Sequence, residues 1–238
     1  MKKIQQILLI ILLFTAQLTL AKSDVSFEKE LSIKVLNHSS IFIDTGSGAL
    51  NIKGTNGDKV RVTALIHSDD YKNLEALQHA FDEKMEFSIA SKNSKIVLKA
   101  LNKKSLFTFS RHNILMDLTV FVPRDLKVEI DDGSGSMTIA NINNSLEIDD
   151  GSGSITIDNI IGNVFIDDGS GNSNLSHIDG NVTIDDGSGT INIDYVSGDV
   201  SIDDGSGAII INNLQGKFNL EDDGSGSIRV NGKRWNKD

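Results

Sequence analysis

From Lys127 onward the apolar residues follow two superposed periods. Within each short run they alternate with polar ones, as in Val128-Glu129-Ile130 and Leu146-Glu147-Ile148, and the whole arrangement returns every 18 residues. Alternation predicts half-buried strands, and a fixed longer period predicts a repeat architecture in which each unit buries its apolar face against the next. The period is plainest in IDDGSG, which begins at Ile130, Ile148, Ile166, Ile184 and Ile202 and returns as LEDDGSG from Leu220. The last step, from Gly205 to Gly224, is 19 residues instead of 18. A nine-residue offset relates Gly153 to Gly162 and Ile157 to Ile166, so each unit holds two similar strand-and-turn halves. Two strands and two turns make one flattened coil, and stacked coils make an all-β fold, a parallel β-solenoid or β-roll.

The inward columns follow from the period. One sheet offers Met137, Ile155, Ser173, Ile191, Ile209 and Ile228, then Ile139, Ile157, Leu175, Ile193, Ile211 and Val230. The other offers Val128, Leu146, Val164, Val182, Val200 and Phe218, then Ile130, Ile148, Ile166, Ile184, Ile202 and Leu220. A fifth column, Ile142, Ile160, Ile178, Val196 and Leu214, plugs the second turn. That turn carries Gly162, Gly180, Gly198 and Gly216, with Asn144 in the first unit, which predicts a left-handed backbone position in the glycine column. The chain ends in NGKRWNKD, whose charges and Trp235 suit a cap over the open end of the stack.

From Val25 to Arg124 the pattern is mostly period two, with one interval of helical spacing. Tyr71 to Lys84 places Leu74, Leu77, Ala80 and Phe81 on one face, behind Asp69 and Asp70 as a capping pair. This predicts a β-rich N-terminal domain with one helix over residues 22–124, followed by the solenoid repeat domain and its cap over 125–238. Asp44-Thr45-Gly46-Ser47-Gly48 is a degenerate copy of the repeat, and Pro123-Arg124-Asp125-Leu126 runs directly into the array, so the join is expected to continue the sheet. Residues 1–21 read as a secretory signal peptide: MKK, an apolar centre from Ile7 to Phe14, and small residues at Thr19 and Ala21 placing cleavage before Lys22. The expected location is therefore outside the cytoplasm, periplasmic or at the cell surface, with no transmembrane span once the signal is removed.

Composition agrees with strands and glycine turns: aromatics are 5%, proline occurs once, and glycine 21 times. The absence of cysteine excludes disulfides and thiolate metal sites. The net charge of -10 is asymmetric, +5 over residues 1–124 and -15 over 125–238, which argues against nucleic acid and for cations or basic surfaces as partners.

Most of that charge sits in two aspartate ladders, Asp131, Asp149, Asp167, Asp185, Asp203 and Asp132, Asp150, Asp168, Asp186, Asp204. Coils stacked at about 4.8 Å bring equivalent carboxylates close enough to repel by about 1 kcal/mol per pair in water. Backbone N–H groups of the Gly-Ser-Gly turn, solvation, or bound Ca²⁺ would each offset this. The calcium reading has an analogue in glycine- and aspartate-rich β-rolls, although here the aspartates precede the glycines and only one turn per coil is acidic. DDGSGS lacks the alternating ligands of an EF-hand.

Enzyme readings find no support. The GSG triplets never extend to G-x-G-x-x-G, a phosphate loop or G-x-S-x-G. His38, His67, His79, His112 and His177 lack metal-ligand spacing and read as surface or strand-end residues. A glycosidase pair is one asymmetric site, unlike a ladder of equivalents. An ice-binding threonine face stops after Thr138 and Thr156.

SIFIDTGSGALNIKGTNGDKVRVTALI, LMDLTVFVPRDLKVEIDDGSGSMTI and the repeated GSGSITI units resemble the bacterial putative-adhesin family, the domain-of-unknown-function β-strand repeat proteins, from about Leu31 to Val230. The resemblance implies an exported or envelope-associated β-solenoid without enzymatic activity, and it supplies no catalytic residues to carry over. The strict DDGSG regularity exceeds the looser family pattern. The expected function is a non-enzymatic adhesin-like or envelope interaction module whose partner is an unknown envelope or surface component; the alternative is a calcium-binding β-roll.

Overall fold

The computed structural model describes residues 25–103 and 113–235, so the expected signal peptide at 1–21 lies outside the described residues. The alternating segments of the N-terminal region form β1 (Val25–Lys34), β2 (Ser40–Ser47), β3 (Leu50–Thr55), β4 (Lys59–Ser68), β5 (Met85–Lys92), β6 (Lys95–Asn102) and β7 (Leu115–Pro123). The array begins with β8 (Lys127–Ile142) and continues as β9 (Leu146–Asp150), β10 (Gly153–Ile161), β11 (Val164–Asp168), β12 (Gly171–Asp179), β13 (Val182–Asp186), β14 (Gly189–Val196), β15 (Val200–Asp204) and β16 (Gly207–Leu214). It closes with β17 (Phe218–Asp223), β18 (Gly226–Val230) and β19 (Lys233–Arg234).

Every 18-residue step lands on a parallel partner. In the first sheet β10, β12, β14, β16 and β18 set Ile157, Leu175, Ile193, Ile211 and Val230 side by side. In the second, β9, β11, β13 and β15 do the same for Ile148, Ile166, Ile184 and Ile202. The expected parallel β-solenoid is therefore the observed fold. The long strand β8 bends from one sheet to the other, pairing with β2 and β9 over its first half and with β3 and β10 over its second. Ile41 lies beside Val128 and Ile52 beside Ile139, so DTGSG turns the first coil and the sheets run unbroken past Arg124.

Most of the predicted inward positions are buried, with Ile139, Ile155, Ile157 and Ile209 at 0% exposure. Each such isoleucine contributes about 1.5–3 kcal/mol relative to exposure. Ser173 occupies its predicted place in the Met137–Ile155–Ile191 column and is equally buried, its hydroxyl without a hydrogen-bond partner. The 19-residue step appears as a register shift between β15 and β17, where β17 carries one extra residue between Leu220 and Asp223, opposite Ile202 to Asp204.

The two ends are closed differently. At the N-terminal end β1 and β5 are the outer strands of the two sheets, and helix α1 (Leu74–Lys84) contacts both. Leu77, Ala80 and Phe81 are its buried face, with Phe81 edge-on to Phe27 at 5.6 Å. The expected capping pair is corrected: Asn73 caps the helix, its side chain accepting from the Ala76 N–H at 2.9 Å, and the helix starts at Leu74. Asp70 instead accepts the Asn113 N–H across a loop, because a cap must stand directly before the first turn to reach its free N–H groups. At the other end Trp235 packs edge-on against Phe218 at 5.3 Å, after the short β18–β19 hairpin.

Candidate functional site

The DDGSG corner joins the second sheet to the first in every coil. Val128 and Ile130 point inward and Glu129 outward, and the same alternation continues through the aspartate pair: Asp131 is exposed and Asp132 buried. The two predicted ladders are thus separated by the sheet. Asp131, Asp149, Asp167 and Asp185 stand exposed on the outer face, with Asp203 half-buried in the same row. Asp132, Asp150, Asp168, Asp186 and Asp204 line the interior at 1–2% exposure, in register with Thr45 of the first coil.

The inward aspartates hold the bend. At the corner the serine N–H leaves the inter-coil ladder, and the carboxylate two residues back accepts it: Ser152 to Asp150 at 3.1 Å, Ser170 to Asp168 at 3.0 Å, Ser188 to Asp186 at 2.9 Å. Turn N–H capping, one of the three offsets open from sequence, is therefore present in these coils. The second oxygens of Asp150, Asp168 and Asp186 are buried and make no hydrogen bond. Burial pushes Asp132, Asp150 and Asp186 up to about 6, and Asp168 upward as well. After burial, the charge of the preceding coil's aspartate adds to the rise at Asp150 and Asp186. Among the described residues no three acidic or histidine side chains converge as a metal cage; a cation at the inner ladder would complete its shell from backbone carbonyls or water.

The glycines of the corner are required by close approach. A Cβ on Gly153, Gly171 or Gly189, all at φ between 148° and 158°, would overlap the carbonyl oxygen of the equivalent glycine one coil earlier.

On the outer face of the second sheet a groove of about 430 Å³ runs along the exposed aspartates, lined also by Phe42, Glu147 and Phe165. Among the described residues the ion pairs of this face gather at its N-terminal end, where Lys95 meets Glu129 at 2.6 Å and Lys127 meets Glu147 at 2.7 Å. Phe165, 44% exposed, lies beyond them.

The second turn corrects the predicted left-handed position. Among its glycines Gly162 has positive φ, at 151°, whereas the left-handed column is Asn141, Asn159, His177, Tyr195, Asn213 and Asn231, at 49° to 64°. Glycine recurs at Gly180 and Gly216 because a Cβ there would strike the preceding coil's backbone. The left-handed residue lies just before the plug position, where the chain must swing Ile160 or Ile178 back inside. His177 and Tyr195 stack in this column at 5.2 Å and 6°, and Asp158 accepts from Ser176 and bonds to His177 at 2.8 Å. These contacts hold Asp158 below the usual carboxylate range.

Two features of the site go beyond the predicted ladders and turns. The inward aim of the second aspartate was available from period two. The aromatic pair was available from the 18-residue step, which places His177 and Tyr195 in an asparagine column.

A family model described as Toastrack DUF4097 matches residues 38–238. Among solved structures the chain is similar to a putative cell adhesion protein from Clostridium sporogenes ATCC 15579, at 14% identity over 85% of this chain and 97% of that one, with a TM-score of 0.39. A putative adhesin from Bacteroides fragilis NCTC 9343 is 12% identical over 81% and 96%, with a TM-score of 0.42. One from Parabacteroides distasonis ATCC 8503 is 8% identical over 82% and 95%, with a TM-score of 0.31. No curated protein matches the chain.

Proposed function

The chain belongs to the Toastrack DUF4097 family, and on that premise we propose that it is a non-enzymatic, exported, adhesin-like module that binds a basic component of the cell envelope or surface through its acidic sheet face. The observation that carries this reading is the outer ladder: Asp131, Asp149, Asp167 and Asp185 repeat along a flat groove with exposed Phe165 beside them. Carboxylates at coil spacing present a field that a basic surface would match, and the aromatic ring offers an apolar anchor. Fractionation of cells expressing the tagged full chain tests export. The expected result is recovery outside the cytoplasm with residues 1–21 removed, and retention in the cytoplasm contradicts it. Retention of the purified protein on a polylysine surface tests the face; Asp149→Asn with Asp167→Asn is expected to weaken it at least tenfold, and salt to weaken it further.

A second reading, a calcium-binding β-roll, is favoured by the buried second oxygens of Asp150, Asp168 and Asp186. An ion held there only in the folded state would raise the melting midpoint with Ca²⁺ over that with chelator, and an unchanged midpoint removes this reading.

A further inference from the structure

We propose that the second-turn corner around Tyr195, on the far side of the coil from the DDGSG turns, is a binding site for a neutral, hydroxyl-rich carbohydrate. Four members of the left-handed column are asparagines, the residue that tolerates positive φ best after glycine. The two exceptions, His177 and Tyr195, adopt φ of 54° and 58° and are both exposed, Tyr195 at 51%; histidine also visits this region readily, so Tyr195 is the strained member. Strained conformations persist where they serve a function, and here the strain sets out an aromatic platform. One face of Tyr195 lies flat on His177, which Asp158 holds. The other lies on the side of the next coil, where the column returns to short Asn213, tied to Asp194 at 2.7 Å.

Asp194, the chain neighbour of Tyr195, lines two adjoining clefts that also share Asn212. The larger, about 530 Å³, is lined by these two with Asn213, Asn231 and Gly232. The smaller, about 180 Å³, extends over the outer face of the first sheet, where Asn192 donates to Asn174 at 3.1 Å. Carboxylate and amide groups together accept from and donate to sugar hydroxyls, while the C–H face of a pyranose stacks on an aromatic plane in the way other apolar rings do. Neither lining includes lysine or arginine, which disfavours phosphates and nucleic acids.

The test uses the purified protein on immobilised dextran, mannan, galactan and chitooligosaccharide. Retention on at least one, competed by the free sugar and unchanged in 0.5 M NaCl, is expected (about 0.5 M leaves only a few Å of charge screening length). Tyr195→Asn restores the column's usual residue, so it is expected to melt no lower than the parent while losing retention at least tenfold. Asp149→Asn with Asp167→Asn, on the other sheet, is expected to leave sugar retention unchanged, so failure here and failure of the acidic-face reading are separable. Retention on none of the four, equal retention by Tyr195→Asn, or retention abolished by salt overturns the proposal.

Discussion

At the scale of single residues the corner depends on atoms one coil apart. Gly171 approaches the Gly153 carbonyl so closely that no side chain fits, and its φ of 156° also disfavours one. Gly171→Ala is therefore expected to cost more than about 3 kcal/mol or to prevent folding, read from urea unfolding. The inward aspartates are a different compromise. Asp150, Asp168 and Asp186 each supply an acceptor for a turn N–H, and each brings a carboxyl that burial makes reluctant to ionise. Asp150→Asn keeps the acceptor and removes the charge. At pH 7.5 it is expected to raise stability by about 1 kcal/mol, a figure well below the full shift because the new amide NH₂ replaces a buried oxygen that has no hydrogen-bond partner, and to have little effect at pH 4.5.

At the scale of elements the repeat made the strands, the coil and five inward columns readable from the chain, because strand alternation and the 18-residue step agree at nearly every position. It failed where a local rule outranked the pattern. The helix begins at Leu74 because Asn73 reaches the Ala76 N–H, and Asp69 and Asp70 stand too far upstream. The left-handed turn falls on Asn159 and His177, since positive φ is set by where the backbone must turn and glycine was selected nearby for space. Strand alternation divides the two aspartate ladders, one outward and one inward, which their shared motif and spacing do not distinguish. The columns also expose one inconsistency in the core: Ser173 sits between Ile155 and Ile191 with a buried, unbonded hydroxyl. Ser173→Val should stabilise the protein by about 1–3 kcal/mol by removing that polar group and filling its column. Leu77→Ala, which strips the helix's buried face, should cost about 2–5 kcal/mol in the same unfolding assay.

At the scale of the whole molecule the solenoid sorts its chemistry by face: carboxylates outside the second sheet, amides and hydroxyls outside the first, an aromatic pair at the second corner, and an ionisable ladder within. The fold was legible because it is a property of the period. The faces that could bind were less legible, since a contact surface is defined by what stands beside what across coils, as with His177 and Tyr195. Within the inner ladder, burial of Asp132, Asp150, Asp168 and Asp186 favours the protonated carboxyl in the folded state. Asp132, Asp150 and Asp186, raised from about 3.8 to about 6, hold protons that the unfolded chain has already lost. Their contribution is complete below about pH 4 and is lost as pH rises through about 6. Glu129, held down by Lys95 and Lys127 despite its burial, and Asp158, held down by His177 and Ser176, act in the opposite sense near the surface. The most direct measurement is the thermal midpoint in chelator from pH 4 to pH 8: the expected result is a midpoint that falls as pH rises through 6, with the fall reduced in Asp150→Asn combined with Asp186→Asn, and a midpoint that holds level or rises over that range would contradict the account.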